Sequence, residues 1–177
     1  MEISASAVGI EPWSEDDFEL LRAANAPELM THLGGPEPEE KLIARHRRYV
    51  DLSADRTGKG RMYRVVTADT GEKAGAVGFW DTLWRDQPVY ETGWTILPEF
   101  HGRGLATAAA LAVIAAARAK GGHRYLHAFP KAANLPSNSV CRKAGFELMG
   151  ECDIEYPPGN PILAHDWRFD LRAIPHP

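Results

Sequence analysis

A short stretch near the middle of the chain joins a strand, a glycine-containing turn and the start of a helix. It runs from Glu91 to Thr107 and reads ETGWTILPEFHGRGLAT. β-Branched and aromatic residues predict a strand over Val89–Leu97, which the following proline ends because it cannot donate to a ladder. Gly102 and Gly104 lack a Cβ, so the turn can adopt positive φ while the unpaired N–H groups of the new helix point the same way. Such an arrangement favours a bound phosphate.

The charge distribution points to the same kind of ligand. No Asp or Glu occurs between Phe100 and Phe146, whereas this segment carries seven cations: Arg103, Arg118, Lys120, Arg124, Lys131, Arg142 and Lys143. Subtracting these seven charges from the net charge of −4 leaves −11 for the remainder. A basic island in an acidic chain indicates a local polyanion rather than general affinity for nucleic acid. The alternative is a run of solvated surface cations.

Two common nucleotide-binding motifs do not fit this stretch. A Walker A loop ends in GK[ST], and the chain has no such ending, so hydrolysis of nucleoside triphosphates is disfavoured. A dinucleotide fingerprint needs a third glycine, where Thr107 stands, and an acidic residue about twenty positions further on. The acid-free segment supplies none, which disfavours Rossmann-type binding.

Length and composition predict one globular domain spanning residues 1–177, since 177 residues with 44% hydrophobic content can bury a sizeable core. The start of the chain has no basic segment followed by an apolar one, and the longest uncharged apolar run, Gly104–Ala117, is too short to span a bilayer. We therefore expect a soluble cytoplasmic protein with no membrane partner. Cys141 and Cys152 lack metal-ligand spacing, so neither a metal site nor a disulfide is expected.

Hydrophobic periodicity and turn residues predict the remaining elements. A helix with Ser14 as N-cap and a Trp13–Phe18 staple runs to about Ala24. The next helix, Glu39–Leu52, turns its arginines outward. The other predicted elements are strands at Glu2–Ile10, Arg61–Ala68, Lys73–Thr82, Arg124–Phe129, Phe146–Ile154 and Ile162–Leu171, and helices at Gly104–Lys120 and Pro136–Ala144.

Two motifs in this order resemble the GNAT superfamily of N-acetyltransferases. The first is the turn His101–Ala106, which matches the family pattern of Gln or Arg, two residues, Gly, one residue, and Gly or Ala. The second begins with Asn134 and Ser137 and ends with the Gly145–Phe146 pair at the family's spacing. The resemblance covers about residues 61 to 150. A lead-in of Glu, any residue, Gly and Trp at residues 91–94 looks most like the ribosomal-protein-alanine N-acetyltransferase branch.

The resemblance implies an α/β (α+β) fold with a mixed, mostly antiparallel sheet of six to seven strands and helices on both faces. A strand, helix and strand joined by a right-handed crossover are parallel and directly or nearly adjacent, which puts a parallel pair at the centre. The ligand then belongs beyond the carboxyl ends of that pair, where Leu97, the glycine turn and Asn134 converge.

The resemblance also implies acetyl-CoA as the cofactor. Its pyrophosphate would lie on the backbone of Gly102–Thr107, its pantetheine arm along the strand edge, and further hydrogen bonds would come from the second motif. His101 stands where the family usually has Gln or Arg, and its neutral imidazole can still donate one hydrogen bond. The residues expected to bind the cofactor are Thr95, Ile96, Leu97, His101, Gly102, Arg103, Gly104, Leu105, Ala106, Thr107, Asn134 and Ser137.

Acyl transfer to an amine needs a base, an oxyanion donor and a proton for the leaving thiolate. Glu91 resembles the family's strand carboxylate and is the expected base; the alternative is a structural carboxylate paired with an arginine. A backbone N–H around Leu97 is the expected oxyanion donor. Cys141 occupies the position of the family's proton-donating Tyr, although a buried Cys is usually a small hydrophobe. Solvent or Tyr156 could serve instead.

The acceptor site is expected around three tryptophans, Trp80, Trp84 and Trp94, with Asp81 nearby, because aromatic walls and carboxylates suit an ammonium group. The alternative is that two of these rings belong to the core. With these features, the resemblance implies an acetyl-CoA-dependent N-acetyltransferase that modifies a primary amine, either a peptide N-terminus or a small molecule such as an antibiotic or polyamine, by direct transfer in a ternary complex. The acidic remainder favours a cationic acceptor and disfavours nucleic acid as a partner. A CoA-binding sensor without turnover and a homodimer through strand edges stay open.

Overall fold

A computed structural model describes residues 7–54 and 58–174. The helices are α1 (Phe18–Ala24), α2 (Glu39–Ser53), α3 (Leu105–Lys120) and α4 (Leu135–Lys143). The strands are β1 (Val8–Pro12), β2 (Gly60–Thr67), β3 (Lys73–Trp84), β4 (Gln87–Ile96), β5 (Tyr125–Ala128), β6 (Glu147–Glu155) and β7 (Pro161–Asp170). Short 3-10 turns at Glu15–Asp17 and Pro98–Phe100 precede α1 and the glycine turn. Of the first strand predicted at Glu2–Ile10, residues 2–6 lie outside the described residues.

The seven strands form one mixed sheet in the order β1-β2-β3-β4-β5-β7-β6. Every neighbouring pair is antiparallel except β4 and β5, which are parallel and joined through α3. This arrangement confirms the predicted fold class and its central parallel pair. The parallel pair follows from the crossover rule: after a strand and a right-handed helical crossover, the chain returns to the sheet as a second strand parallel to the first.

The parallel pair is short. Only Tyr90 with Leu126 and Glu91 with His127 are paired, and within the described residues no pairing joins β4 to β5 beyond Glu91. The rest of β4 therefore leaves its β5-side edge open while its other edge stays hydrogen-bonded to β3.

Side-chain alternation divides the sheet into two faces. Phe79 and Tyr90 pack edge to face at 5.0 Å, and the Tyr90 hydroxyl donates to the Gly121 carbonyl at the end of α3 at 2.5 Å, so α3 covers this face. Helices α1 and α2 pack against β3 and β2 on the other face, and the backbone N–H of Trp13, in the segment before α1, donates to the Met62 carbonyl. Helices thus flank both faces, as predicted. Helix α3 can lie buried because its own side chains are alanines and aliphatic residues on almost every side.

The β3–β4 hairpin is tighter than the sequence suggested. Strand β3 continues past the predicted end at Thr82 to Trp84, and the turn consists of Arg85 and Asp86 with φ of 49° and 64°. Two positive φ values give a two-residue hairpin whose twist matches the strands. The pair Arg-Asp is an uncommon choice for that turn, which is why a longer loop was expected here.

Arg45 departs from the predicted outward orientation of the α2 arginines. Its guanidinium is half-buried, pairs with Glu37 and lies 3.5 Å from the hydroxyls of both Tyr49 and Tyr156. Periodicity could not reveal this because Tyr156 comes from the distant β6–β7 connection.

Each helix in the described part of the chain is too short or too polar to span a bilayer.

Candidate active site

A cleft of about 1510 Å³ opens where β4 and β5 diverge. It extends from the glycine turn, past the open edge of β4, to the space between α2 and the β6–β7 connection. Most of the sequence-predicted site residues line it: Trp80, Glu91, Trp94, Thr95, Ile96, His101, Gly102, Gly104, Leu105, Ala106, Thr107, Asn134 and Ser137. The side chains that the structure leaves out of this lining are Trp84, Leu97, Arg103 and Cys141.

The glycine turn has the geometry of an anion cradle. Gly102 and Gly104 adopt φ of 77° and 73°, a left-handed conformation that favours glycine, and a Cβ added at Gly102 would meet nothing within 4 Å. The first intrahelical bond of α3 runs from Ala108 N to Gly104 O at 3.1 Å, so the N–H groups of Leu105, Ala106 and Thr107 have no intrahelical acceptor. The glycine backbone and the N–H groups of the first turn of α3 therefore line the same part of the cleft, an arrangement that suits a bound diphosphate.

His101 stabilises this turn internally. Its Nε2 lies 2.7 Å from the carbonyl oxygen of Ile96, and because a carbonyl only accepts, the imidazole donates from Nε2. This hydrogen bond ties the turn to the end of β4. The ring thus supports the cradle from within the protein, because its Nε2 hydrogen goes to Ile96 and not to a phosphate.

Arg103 contributes to the turn through its backbone. Its guanidinium points away, donating to Asp69 at 3.2 Å and lying 5.9 Å from the Phe100 ring centroid. Other members of the basic island also have structural partners: Arg124 pairs with Asp170 at 2.9 Å, and Arg118 donates to the Leu171 carbonyl. Only Lys131 and Lys143 of the seven line the cleft. The alternative reading of the island as ordinary surface cations therefore holds for part of it.

The predicted oxyanion donor needs a correction. The N–H of Leu97 donates to the Ala74 carbonyl at 2.8 Å, which continues the β3–β4 ladder, so this group is not free. Ladder bonds alternate along an antiparallel strand, and the N–H groups of Trp94 and Ile96 therefore face the opposite, open edge. The exposed backbone belongs to these two residues.

Asn134 begins α4 and caps it. Its side-chain oxygen accepts from the Ser137 N–H at 3.2 Å, which fixes the amide orientation and leaves the Nδ2 group to donate elsewhere. Both residues line the cleft opposite the open edge of β4. The sequence motif is thus explained locally as a helix cap that also presents a donor.

Glu91 lies at the divergence point and faces the cleft. The Trp80 indole donates from Nε1 to its Oε2 at 2.7 Å, and the two residues are direct cross-strand partners. Burial raises the pKa of Glu91, and this effect outweighs the Trp80 hydrogen bond and the charge of His127, which both lower it. No arginine pairs with Glu91 among the described residues, which argues against the alternative role as a structural ion-pair partner.

Cys141 does not reach the cleft. It is fully buried in the core against α3, and burial raises the pKa of its thiol to about 12. A thiol without access to the cleft cannot protonate a leaving thiolate there. This placement argues against the predicted catalytic role and agrees with the alternative of a small core hydrophobe.

The three tryptophans occupy different places. Trp80 lines the cleft beside Glu91, whereas Trp94 lines it from the opposite face, since it follows Glu91 by three residues along the strand. Trp84 packs on Phe129 at 4.6 Å and donates from Nε1 to Asp166 at 3.0 Å, away from the cleft. Spacing along the sequence could not separate these roles, because the hairpin turns Trp84 over the neighbouring strands.

Sequence reasoning missed two groups. Arg45 and Tyr49 of α2 form a wall of the cleft with Tyr156, which had been named only as an alternative proton donor. His127 pairs with Asp166 through Nδ1 and Oδ1 at 2.6 Å, directly beside Glu91 in the sheet. Neither group has a local motif, because each joins residues at least 39 positions apart except for the Arg45–Tyr49 helical pair.

A strand pair that diverges beside a glycine turn, with a carboxylate at the divergence point, defines an acyl-CoA N-acyltransferase type of fold. A model of the acetyltransferase (GNAT) domain matches residues 8–147, and the chain therefore belongs to this family of acetyl-CoA-dependent N-acetyltransferases. A search among curated proteins finds no match.

Solved structures agree with this fold. A GNAT-family acetyltransferase from Bacillus anthracis is 19% identical, with a TM-score of 0.76 over 98% of this chain and 100% of that one. The acetyltransferase from Salmonella typhimurium that modifies the N-terminal serine of the 50S ribosomal subunit protein L7/L12 is 18% identical, with a TM-score of 0.74 over 95% and 98%. An aminoglycoside acetyltransferase solved with coenzyme A is 19% identical, with a TM-score of 0.73 over 92% and 94%. A ribosomal-protein acetyltransferase is thus among the structures that this chain resembles, as predicted.

In the described part of the chain, no cluster of three or more His, Cys, Asp or Glu side chains could hold a metal ion. The cleft offers backbone N–H groups at the end near the glycine turn and acidic, basic and aromatic side chains at the other end.

Proposed function

We propose that this protein transfers the acetyl group of acetyl-CoA to a primary amine by direct transfer in a ternary complex. The observation that carries the proposal is one continuous cleft that links the backbone cradle at Gly102–Thr107 with the buried carboxylate of Glu91. The first feature suits a diphosphate and the second suits a base. The open edge of β4 lies between them.

The residues present fit the donor along its length. The pyrophosphate would lie against the N–H groups of Leu105, Ala106 and Thr107, and the amides of the pantetheine arm would pair with the open edge of β4 at Trp94 and Ile96. The Nδ2 group of Asn134 and the side chain of Ser137 would donate from the facing helix. When bound, acetyl-CoA supplies a thioester whose carbonyl carbon accepts the nitrogen and whose sulfur leaves.

Glu91 would act as the base. An alkylammonium has a pKa near ~10, so at neutral pH a proton must be removed before its nitrogen can attack. The buried carboxylate would accept this proton, directly or through one water molecule. Trp80 occupies one carboxylate oxygen at 2.7 Å, which orients the group and leaves the other oxygen for the proton.

Two further roles go to groups on the cleft walls. The N–H of Trp94 or Ile96 would stabilise the negative charge that develops on the carbonyl oxygen, in place of Leu97. The hydroxyl of Tyr156 would give its proton to the departing sulfur and regain one from solvent. Arg45, whose Nη1 lies 3.5 Å from that hydroxyl, holds it in the cleft.

The acceptor would be a peptide N-terminus or a small-molecule amine. Two of the similar solved structures point to these classes, one by an N-terminal serine and the other by an aminoglycoside. The acceptor end of the cleft carries Glu91 near the sheet and Arg45, Arg47 and Arg48 on α2. Because these charges have both signs, the −11 of the remaining chain does not by itself select a polycation.

The test measures donor binding and turnover separately. Coenzyme A and acetyl-CoA should each raise the melting temperature, and free thiol should then be released in the presence of an amine from a panel of peptides, polyamines and aminoglycosides. Mass spectrometry of the acceptor should show addition of one acetyl group. Absence of stabilisation by either thioester or thiol, together with no thiol release across the panel, would refute the proposal.

A second candidate is a sensor that binds CoA without turnover. It predicts the same thermal stabilisation but no modified acceptor with any amine. The buried base beside an accessible cleft favours the enzyme, since a sensor has no need of an isolated carboxylate in that position.

A further inference from the structure

A row of side chains crosses four strands on the sheet face that carries the base. Trp80 of β3 is paired with Glu91 of β4, Glu91 with His127 of β5, and His127 with Arg168 of β7. Directly paired residues project to the same face, and Asp166 shares it because it precedes Arg168 by two positions. Glu91 therefore has an imidazole as its neighbour on one side and an indole on the other.

The imidazole is held rigidly. His127 lies 2.6 Å through Nδ1 from Asp166 Oδ1, and the other oxygen of Asp166 accepts from Trp84 Nε1 at 3.0 Å. His127 and Asp166 are 4% and 3% exposed. Because a carboxylate accepts from both neighbours, Nδ1 of His127 carries a hydrogen, and Nε2 is the ring nitrogen outside this hydrogen bond.

A buried pair of this kind is poor evidence of a role in stability. Removing two ionisable groups from water costs about as much as their attraction returns, and apolar residues of similar size often stabilise a fold equally well. Phe129 stacks on the His127 ring at 5.5 Å, and Trp84 covers Asp166, so apolar substitutes would have had neighbours to pack against. The position of the His127–Asp166 pair beside Glu91 points instead to a functional role.

We propose that His127, oriented by Asp166, is a positioning residue that places positive charge beside Glu91 and keeps this carboxylate ionised when the acceptor ammonium enters. The catalytic role of His127 rests on the proposed function, but its effect on Glu91 can be measured in the free protein whether or not that function holds. The ionised Glu91 is the form that can accept a proton from the acceptor.

The other groups near Glu91 leave this role to His127. On β3 the neighbour is the Trp80 indole, which does not titrate, and Asp81 projects to the opposite face, where it pairs with His123 at 3.1 Å. On β7, Arg168 stacks on Tyr125 at 4.4 Å and lies 3.8 Å from Glu147. The cleft walls carry the further charged and titratable groups Glu28, His32, Arg45, Arg47, Arg48, Tyr49, Asp51, Lys59, His101, Lys131, Lys143 and Tyr156.

Trp80 offers a direct reporter of the state of Glu91. Its indole N–H donates to the carboxylate, so its 1H–15N resonance should shift when Glu91 is protonated. The chain has five tryptophans, and Trp80→Phe assigns the relevant signal. A pH titration of the free protein therefore follows Glu91 without any acceptor, and failure of the proposed function would leave this measurement intact.

The test compares His127→Asn with His46→Asn. Asparagine can donate to Asp166 from the position of Nδ1, so His127→Asn removes the charge and keeps the hydrogen bond. His46 is an equally buried histidine, whose Nδ1 accepts from Trp13 Nε1 at 3.1 Å, and an asparagine oxygen can replace that acceptor. It lies outside the cleft lining.

We expect His127→Asn to raise the midpoint of the Trp80 titration by about 1 pH unit, the effect of losing an opposite charge nearby, and His46→Asn to leave it unchanged. Once an acceptor is known, the acid limb of the pH profile of kcat/KM should move upward by the same amount, with an unchanged Kd for CoA. An unshifted midpoint in His127→Asn, or no titration of the Trp80 resonance in the wild-type protein, overturns the proposal.

A second variant keeps the proposal testable if His127→Asn does not fold. Coupling between two sites is reciprocal, so Glu91→Gln must lower the titration midpoint of the His127 ring by about the same amount as His127→Asn raises that of Glu91. The ring 15N and 13C signals of His127 measure this. An identical His127 titration in Glu91→Gln and wild-type protein would overturn the coupling.

Discussion

The two ends of the cleft are built from different materials. The donor end consists of backbone: two glycines with positive φ, the first N–H groups of α3 and the open edge of β4. The acceptor end consists of side chains from distant parts of the chain, such as Glu91 of β4 and Tyr156 beyond β6. Backbone groups bind what all donors of one class share, whereas side chains determine which acceptor reacts and when. Substitutions at the two ends should therefore affect different constants.

The largest effect is expected at the base. Glu91→Gln keeps the size of the side chain and an oxygen for the Trp80 indole but cannot accept the proton. We expect kcat to fall by about 10² to 10⁴, the contribution typical of general base catalysis, with an unchanged Kd for CoA. Steady-state kinetics and calorimetric titration of CoA measure the two constants. A weakened Kd would mean that the two ends are not separate.

A substitution at the donor end should show the opposite pattern. Gly102→Ala forces a Cβ into a left-handed conformation, which costs about 1–2 kcal/mol, and distorts the cradle. We expect the Kd of CoA to rise about tenfold or more, which corresponds to at least about 1.4 kcal/mol.

Gly71→Ala is the matched control for that prediction. Gly71 has φ of 71° in the β2–β3 turn, with nothing within 4 Å of an added Cβ and no place in the cleft lining. It should lose similar stability and bind CoA normally. Equal weakening of CoA binding in both variants would assign the effect to global strain.

A smaller effect is expected for the proton donor. Tyr156→Phe removes the hydroxyl and should lower kcat about tenfold, because solvent can replace it in part.

Cys141→Ala should leave kcat unchanged and cost about 1 kcal/mol of stability through the small cavity that it creates. Measured turnover and thermal melting of both variants separate the assignments. Loss of turnover in a folded Cys141→Ala protein would restore the role that its burial argues against.

The smallest effect concerns stability and pH. Burial raises the pKa of Glu91 above its unfolded value, so folding favours the protonated form, and this contribution is lost as pH rises through the folded pKa. Glu91→Gln lacks this loss. Its melting temperature should therefore match that of the wild-type protein near pH 4 and exceed it at pH 8. The exposed Glu99→Gln should give the same small difference at both values, and a constant gap for Glu91→Gln would contradict the shift.

The accuracy of sequence reasoning followed the same division between backbone and side chains. The strand, glycine turn and helix from β4 to α3 were predictable because Pro98, Gly102 and Gly104 impose local geometry that any tertiary context must accept. The N-cap role of Asn134 follows from the same local rules. The oxyanion donor was expected around Leu97, but the Leu97 N–H itself donates to Ala74, because strand pairing decides which N–H groups face the open edge.

By itself, then, the sequence determined the order of the elements, the parallel central pair and the backbone cradle, because these depend on short-range chain geometry and on the handedness of one crossover. Tertiary structure alone decided that Cys141 is sealed in the core, that Trp84 folds over Asp166, and that His127 stands beside Glu91. These depend on strand register and packing between residues far apart in the chain. A shift of one residue in strand register would turn Trp84 or His127 to the other face of the sheet.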